Sequence, residues 1–311
     1  MLANFLEKSK PINFIVYFGL FFCFFMITIF SNLLTGNFTW LKALENTSFL
    51  GLFLIVFFFY NFIVSKNKLT FDHSYAFFLF ILTSILFIPK LLAVNTLITL
   101  IIYLLFLRKI YSLRSHKKVI QKLFDSGFWL GILFILNPFS LIFLILIYTS
   151  ILLRKKVSFH TLLTPIIGFI SPLIIYFAYL FWYDSGEEFK QLFIFNNINS
   201  VFIYAKDTTL WIFGTVLLLT ISSIFLKSPK ALSVNNSFKK SWIILILNSI
   251  IAVVFALMIN NKNGSEIVFL MIPASIIIAN GFEVIEKMIV KNILSGLLLI
   301  GTILTFFLVI I

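Results

Sequence analysis

The stretch "RKIYSLRSHKKVIQK", residues 108–122, carries six Lys and Arg and separates two long apolar runs. Tyr75 to Leu107 is 33 residues and Ser126 to Leu153 is 28. A helix crosses roughly 30 Å of hydrocarbon in about 20 residues, so each run is long for one pass and short for two. If each run crossed once, the 108–122 cluster would lie opposite both "SKNK" (65–68) and "RKK" (154–156). If each is a hairpin of two short helices, all three clusters share one side. Cytoplasmic loops collect Lys and Arg, and the hairpin reading puts 19 of the 24 Lys and Arg on one side. Lys42, Lys90, Lys190, Lys206 and Lys262 are left for the other. The charge pattern decides for hairpins, in an all-α polytopic membrane bundle of about eleven segments with its N-terminus inside.

The two runs resemble each other. "ILFIPKLLAVNTLITLIIYLLFLRK" (85–109) and "ILFILNPFSLIFLILIYTSILLRKK" (132–156) share an opening ILFI, an early proline and a closing Leu-Arg-Lys. Proline removes a backbone hydrogen bond and ends or kinks a helix, so Pro89 and Pro138 are expected at the outer tips of the hairpins. Arms of about 11–17 residues span about 16–26 Å, too little in some cases for the whole core. Such elements survive when packed in protein or facing a water-filled cavity, which points to a cavity opening outward. The remaining segments read as 12–34, 49–64, 161–182, 210–226, 242–259, 267–282 and 293–311. They belong to one integral membrane domain, with a core module over 1–209 and C-terminal helices over 210–311.

Composition closes off other classes. The chain is 61% hydrophobic and 11% charged, against the roughly 25% charged usual for soluble domains, and its mean hydropathy is +1.11. A net charge of +13 would suggest nucleic acid in a soluble protein; here the charges sit in short loops and no nucleic-acid partner is expected. The 42 Phe read as lipid-facing side chains. Cys23 stands alone, so there is no disulfide framework. His73, His116 and His160 lack ligand spacing, and neither metal nor other cofactor is expected. The first apolar run is too long for a signal-peptide core and reads as a retained helix.

No Asp, Glu, Lys, Arg or His falls mid-span in this reading, which disfavours an ion-coupled pump. Walker, HExxH and GxSxG motifs are absent from the sequence, so chemistry would belong to the outer face. Glu45 lies in the short outer loop "TGNFTWLKALENTS" (35–48) and is the best single candidate for a general base. Asp184, Glu187 and Glu188 open the longest outer loop, "YDSGEEFKQLFIFNNINSVFIYAKDTT" (183–209), and are its reserves. Phe189, Leu192, Phe193, Ile198, Val201 and Phe202 recur near helical spacing, so 187–204 is expected as an interfacial helix capping the cavity. Lys90, at the first hairpin tip, and Lys190 fit phosphate binding, which a lysine performs as a point charge.

The order of elements resembles the membrane module of GT-C-type glycosyltransferases. The similar features are the paired short helices before "YLLFLRKIY" (103–111), the next pair through "NPFSLIFLILIYTSILLRKK" (137–156), and the long outer loop that follows. "GSEIVFLMIPASIIIANGFE" (264–283) resembles their outer-loop-to-proline helix, with Glu266 at its head. The resemblance covers about 60–280 and implies an enzyme that takes sugars from polyprenyl-phosphate donors on the outer face. It implies an acidic base in the first outer loop, where this chain offers Glu45 alone, and a substrate-contacting position at Glu266. In texture the chain also resembles polytopic inner-membrane proteins common in Bacteroidota, which implies a bacterial inner membrane. Besides a glycosyltransferase or inactive relative, two readings stay open: a non-catalytic subunit of an envelope-assembly or secretion complex, and a lipid or small-molecule transporter. Expected partners are membrane lipids, a polyprenyl-phosphate sugar and other envelope proteins.

Overall fold

The computed structural model describes residues 2–35, 39–115, 117–194, 208–233, 236–259 and 265–310, and among them every regular element is helical. The order is α1 (Leu2–Leu6), α2 (Pro11–Thr35), α3 (Trp40–Asn67), α4 (Tyr75–Leu86), α5 (Ile88–Leu91), α6 (Val94–Ser112) and α7 (Val119–Leu136). It continues with α8 (Leu144–Leu153), α9 (Phe159–Trp182), α10 (Gly186–Gln191), α11 (Thr208–Ser233), α12 (Asn236–Met258), α13 (Val268–Val284) and α14 (Met288–Ile310). The 3₁₀ turns Pro138–Phe143 and Ser265–Ile267 lead into α8 and α13.

Among the described residues, eight helices are long and apolar enough to cross a membrane: α2, α3, α6, α7, α9, α11, α12 and α14. Three apolar helices are shorter: α4, the Pro138–Leu153 unit and α13. The outer faces of the long helices are what lipid requires. On α14, Ile289, Ile293, Leu297, Ile300 and Leu304 form an exposed stripe. Water would leave such a contiguous apolar face uncompensated.

Both prolines break helices where the sequence predicts. Pro89 enters the four-residue α5 at its first turn, where a missing N–H costs nothing. Pro138 starts its 3₁₀ turn and pushes Asn137 into extended backbone, φ −151° and ψ 105°, as residues before proline prefer. The Asn137 side chain then accepts from Phe139 N at 3.3 Å. Only one arm of each hairpin is short, however. The arms α4 and the Pro138–Leu153 unit pair with α6 and α7, which have 19 and 18 residues. These longer arms recruit polar residues beyond the apolar runs: Arg108, Lys109 and Ser112 into α6, Lys122 and Asp125 into α7. Helix α3 likewise begins at Trp40, capped by Thr39, so Glu45 lies on a helix and not in a loop.

The three basic clusters meet at one end of the bundle. Arg114 Nη1 donates to the Asn67 carbonyl at 2.7 Å and Lys122 Nζ to that of Ser112 at 2.7 Å. Lys156 Nζ donates to the carbonyls of Leu113 at 2.8 Å and Ser115 at 3.1 Å. The chain therefore leaves this end along α4, returns along α6, leaves along α7 and returns along α8. The amino-terminal segment joins the same end: Ser74 N donates to Leu6 O at 2.9 Å, and Glu7 lies 3.6 Å from Lys291. Asn280 Nδ2 reaches Leu69 O at 3.0 Å, and Lys227 pairs with Glu283 at 2.8 Å.

Two packing solutions hold the bundle. Tyr75–Ile85 of α4 and Val268–Phe282 of α13 are buried on every side and lie against each other. At 1.5 Å per residue, the 12 residues of α4 span about 18 Å. Protein surrounds it where lipid would demand a full-length helix. Tyr60 of α3 ties the pair, donating to Ala76 O at 3.1 Å and sharing a 2.6 Å bond with Ser275 Oγ. Elsewhere α7 and α9 interlock through glycines. A Cβ on Gly127 would meet Pro165 O at 2.1 Å, one on Gly131 Phe169 O at 2.4 Å, and one on Gly168 Phe124 O at 2.2 Å. Small residues four apart let membrane helices approach this closely.

Candidate functional site at the hairpin tips

At the end opposite the basic clusters, a cavity of about 170 Å³ lies between the two hairpins, Ile259 at the end of α12 and the entry to α13. Asn95, Thr96 and Thr99 come from the first turns of α6, Asn137 from the second tip, and Glu266 and Phe269 from the entry to α13. Each polar group is placed by a helix boundary. Asn95 and Thr96 follow the α5–α6 break, and Asn137 is the extended residue before Pro138. Glu266 sits in the 3₁₀ turn that starts α13 and is only 2% exposed. Thr99 turns its hydroxyl back to Asn95 O at 2.7 Å. A buried carboxylate is costly unless its charge is compensated or neutralised. Together the groups offer a proton acceptor, amides and hydroxyls to a small polar ligand.

Of the seven residues singled out from the sequence, the cavity brings in Glu266. Glu45 is exposed on α3. Lys90 is half-buried in α5, which rests on α2 and α4. Asp184 is exposed just after α9, with a left-handed φ of 53°. Glu187 and Glu188 occupy the first turn of α10, where acidic side chains complement the helix dipole. Glu187 pairs with Lys190 at 2.7 Å, the two side chains 83% and 71% exposed, an arrangement worth little to stability. The described part of the expected interfacial helix, through Ile194, folds back onto α9. Leu192 there joins Phe134 and Leu173 in a small cluster of its own. Residues 195–207, with Lys206 and Asp207, and residues 260–264, with Lys262, lie outside the described residues.

Sequence reasoning missed the neutral polar groups. Asn95, Thr96 and Asn137 were visible beside the prolines in "PKLLAVNT" and "LNPF". Asn248, fully buried on α12, accepts from the Tyr103 hydroxyl at 2.7 Å. A search confined to ionisable residues passes over it. Among the described residues, no group of three or more His, Cys, Asp or Glu is disposed to hold a metal ion.

With eight membrane-length helices and no other regular structure among the described residues, lipid-type outer faces and basic loops gathered at one end, the chain is a multi-pass membrane protein. No curated protein and no solved structure matches it. The chain belongs to a family of unknown function, DUF6427, whose match spans residues 1–311.

Proposed function

We propose that all eleven apolar helices cross the bacterial inner membrane, with the N-terminus and the basic end in the cytoplasm. On this reading the tip cavity opens outward and serves a GT-C-like glycosyltransferase acting on polyprenyl-phosphate-linked sugars. The orientation is supported by the 19 of 24 Lys and Arg that the hairpin reading puts on the side of the basic end, as the positive-inside rule requires. The chemistry is supported by one observation above all: Glu266 is buried beside a cavity built from both hairpins. In the reaction an acceptor hydroxyl attacks the anomeric carbon, and the carbon–oxygen bond to phosphate breaks. Polyprenyl phosphate leaves with the electron pair, and Glu266 takes the hydroxyl proton.

A second reading, a non-catalytic subunit of an envelope-assembly complex, draws support from the exposure of Glu45, Asp184, Glu187 and Glu188. One experiment separates the two. Cells lacking the protein should accumulate polyprenyl-phosphate sugars, and wild type should clear them while Glu266→Gln at equal abundance should not. Full clearance by Glu266→Gln would end the enzymatic reading and leave the subunit reading standing.

A further inference from the structure

The basic end contains a pocket that membrane topology alone does not explain. A cavity of about 570 Å³ opens between the C-terminal ends of α3 and α6 and the start of α7. Lys66, Lys68, Arg108, Lys109, Arg114 and Lys122 line it, and among the described residues no carboxylate does. Asp125, three residues along α7 from Lys122, is spent on Lys109 at 2.5 Å. Some of these cations have a structural task. Lys122 and Lys156 satisfy the carbonyls of Ser112, Leu113 and Ser115 at the C-terminus of α6, and Arg114 satisfies Asn67 O at the end of α3. Cations at helix C-termini need no other reason.

Three features are left over. Lys66 and Lys68 stand exposed on the rim. The Arg108 guanidinium lies over the Phe62 ring at 5.1 Å; stacking fixes its plane and leaves the N–H edge for an oxygen ligand. Behind them Arg154 is 7% exposed, and its Nε and Nη2 find no hydrogen-bond partner. Arg154 is within electrostatic reach of Arg114, Lys122 and Lys156. Burial first, and then Arg154, push Lys156 down to about 8. Burial and then Arg114 push Arg154 down to about 10. A cluster of cations that repel one another around an open cavity is complementary to a multiply charged anion.

We propose that this pocket binds a di- or polyphosphate group, gripped by the forked donors of Arg108 and Arg114 and by Lys66, Lys68 and Lys122 as point charges. The volume falls within the range of small-molecule sites. The cation count exceeds what one phosphate would neutralise. Two sources share this chemistry: an anionic lipid headgroup at the membrane surface, as basic pockets between membrane helices take, and a soluble polyphosphate. The proposal holds whichever side of the membrane the basic end faces, and it is separate from the chemistry at Glu266.

The test uses the full chain purified in neutral detergent and titrated separately with cardiolipin and with inorganic tripolyphosphate. Binding is read by native mass spectrometry and by the shift in unfolding temperature. Wild type should bind at least one of the two: cardiolipin alone identifies a lipid headgroup, tripolyphosphate alone a soluble ligand, and both together the shared phosphate chemistry. Arg108→Gln/Arg114→Gln should weaken binding about tenfold or more, as loss of two charge-assisted forks implies. Lys66→Gln/Lys68→Gln changes only exposed rim residues and should weaken binding without touching the fold. Lys155→Gln/Lys287→Gln removes two exposed charges from the same end but outside the pocket, and should bind as wild type does. Failure of wild type to bind either probe would overturn the proposal. So would pocket variants that bind unchanged, or an equal loss in the Lys155/Lys287 control.

Discussion

The two hairpins share a stretch that runs from ILFI near the tip, past a proline, to a closing Leu-Arg-Lys, yet the molecule uses them in opposite ways. In the first, the short arm α4 comes first and is buried on all sides against α13 and α2, while the long arm α6 lies on α3 and α7. In the second, the long arm α7 comes first and locks onto α9, and the short return begins as a 3₁₀ turn. Their closing Leu-Arg-Lys motifs diverge too: Arg108 stacks on Phe62 at a pocket wall, whereas Arg154 is buried. Proline and charge fix where a membrane hairpin turns and ends. Its neighbours are chosen by small residues and buried polar groups, which the shared motif does not contain.

The sharpest break of that comparison is all-or-none. On the proposed orientation both tips face out and the loop between the hairpins faces in. After replacement of Cys23, the single cysteine of the chain, an impermeant thiol reagent on intact cells should label a cysteine at 90 or 137 and leave one at 115 unlabelled. Labelling at 115 alone would refute the proposed orientation, and labelling at 115 together with 90 or 137 would refute the hairpins.

The next effect is large but graded. Gly131→Leu drives a side chain into Phe169 O and Pro172 Cγ, at 2.4 and 2.5 Å from the first added carbon. Overpacking of this kind costs about 1–3 kcal/mol or more, with the upper end expected here because the obstruction is partly backbone. Gly51→Leu on α3, where nothing lies within 4 Å, should change thermal stability little. Equal losses in the two variants would show that glycine spacing does not distinguish the second hairpin.

The smallest effect is a pH dependence where the second hairpin returns. Lys156 has its folded pKa lowered from 10.5 to about 8, so between those values the unfolded chain binds more protons than the folded one. Stability should therefore rise as pH climbs from about 8 toward 10.5, and the penalty is fully present below about 8. Lys156→Met should flatten that rise in a series of unfolding temperatures. An unchanged slope would locate the repulsion elsewhere in the cluster.

Much of this architecture is legible in the sequence because its causes are local. Pro89 and Pro138 announce the breaks, and the 65–68, 108–122 and 154–156 clusters announce that they share an end. The lengths of the arms are less legible, since α6 and α7 extend through Lys109 and Lys122 once helix formation satisfies the backbone. The glycine pair of α7 stands in plain view in "GFWLG", residues 127–131. Its partner Gly168 lies some 40 residues on, and nothing local connects them. Least legible is which apolar helix meets protein and which meets lipid. Val268–Phe282 is wholly buried while α14 presents an exposed stripe, because isoleucine and leucine suit either solvent equally. At the candidate site Glu266 is identifiable from its place before the proline helix. Glu45 is misleading because a carboxylate near an apolar run gives no sign of whether it faces inward.

The pairing of α4 with α13 also sets a schedule for making the protein. Helix α4 leaves the ribosome roughly 200 residues before α13, which at ~5–20 residues per second is an interval of about 10–40 s. Throughout that time α4 lacks its main partner and is too short to satisfy a bilayer alone. Its Thr83 and Ser84 hydroxyls, bonded back to Leu79 and Phe80 carbonyls, keep their polar atoms satisfied within the helix during the wait. Premature termination anywhere before residue 268 removes the partner permanently and leaves a chain that cannot complete its centre.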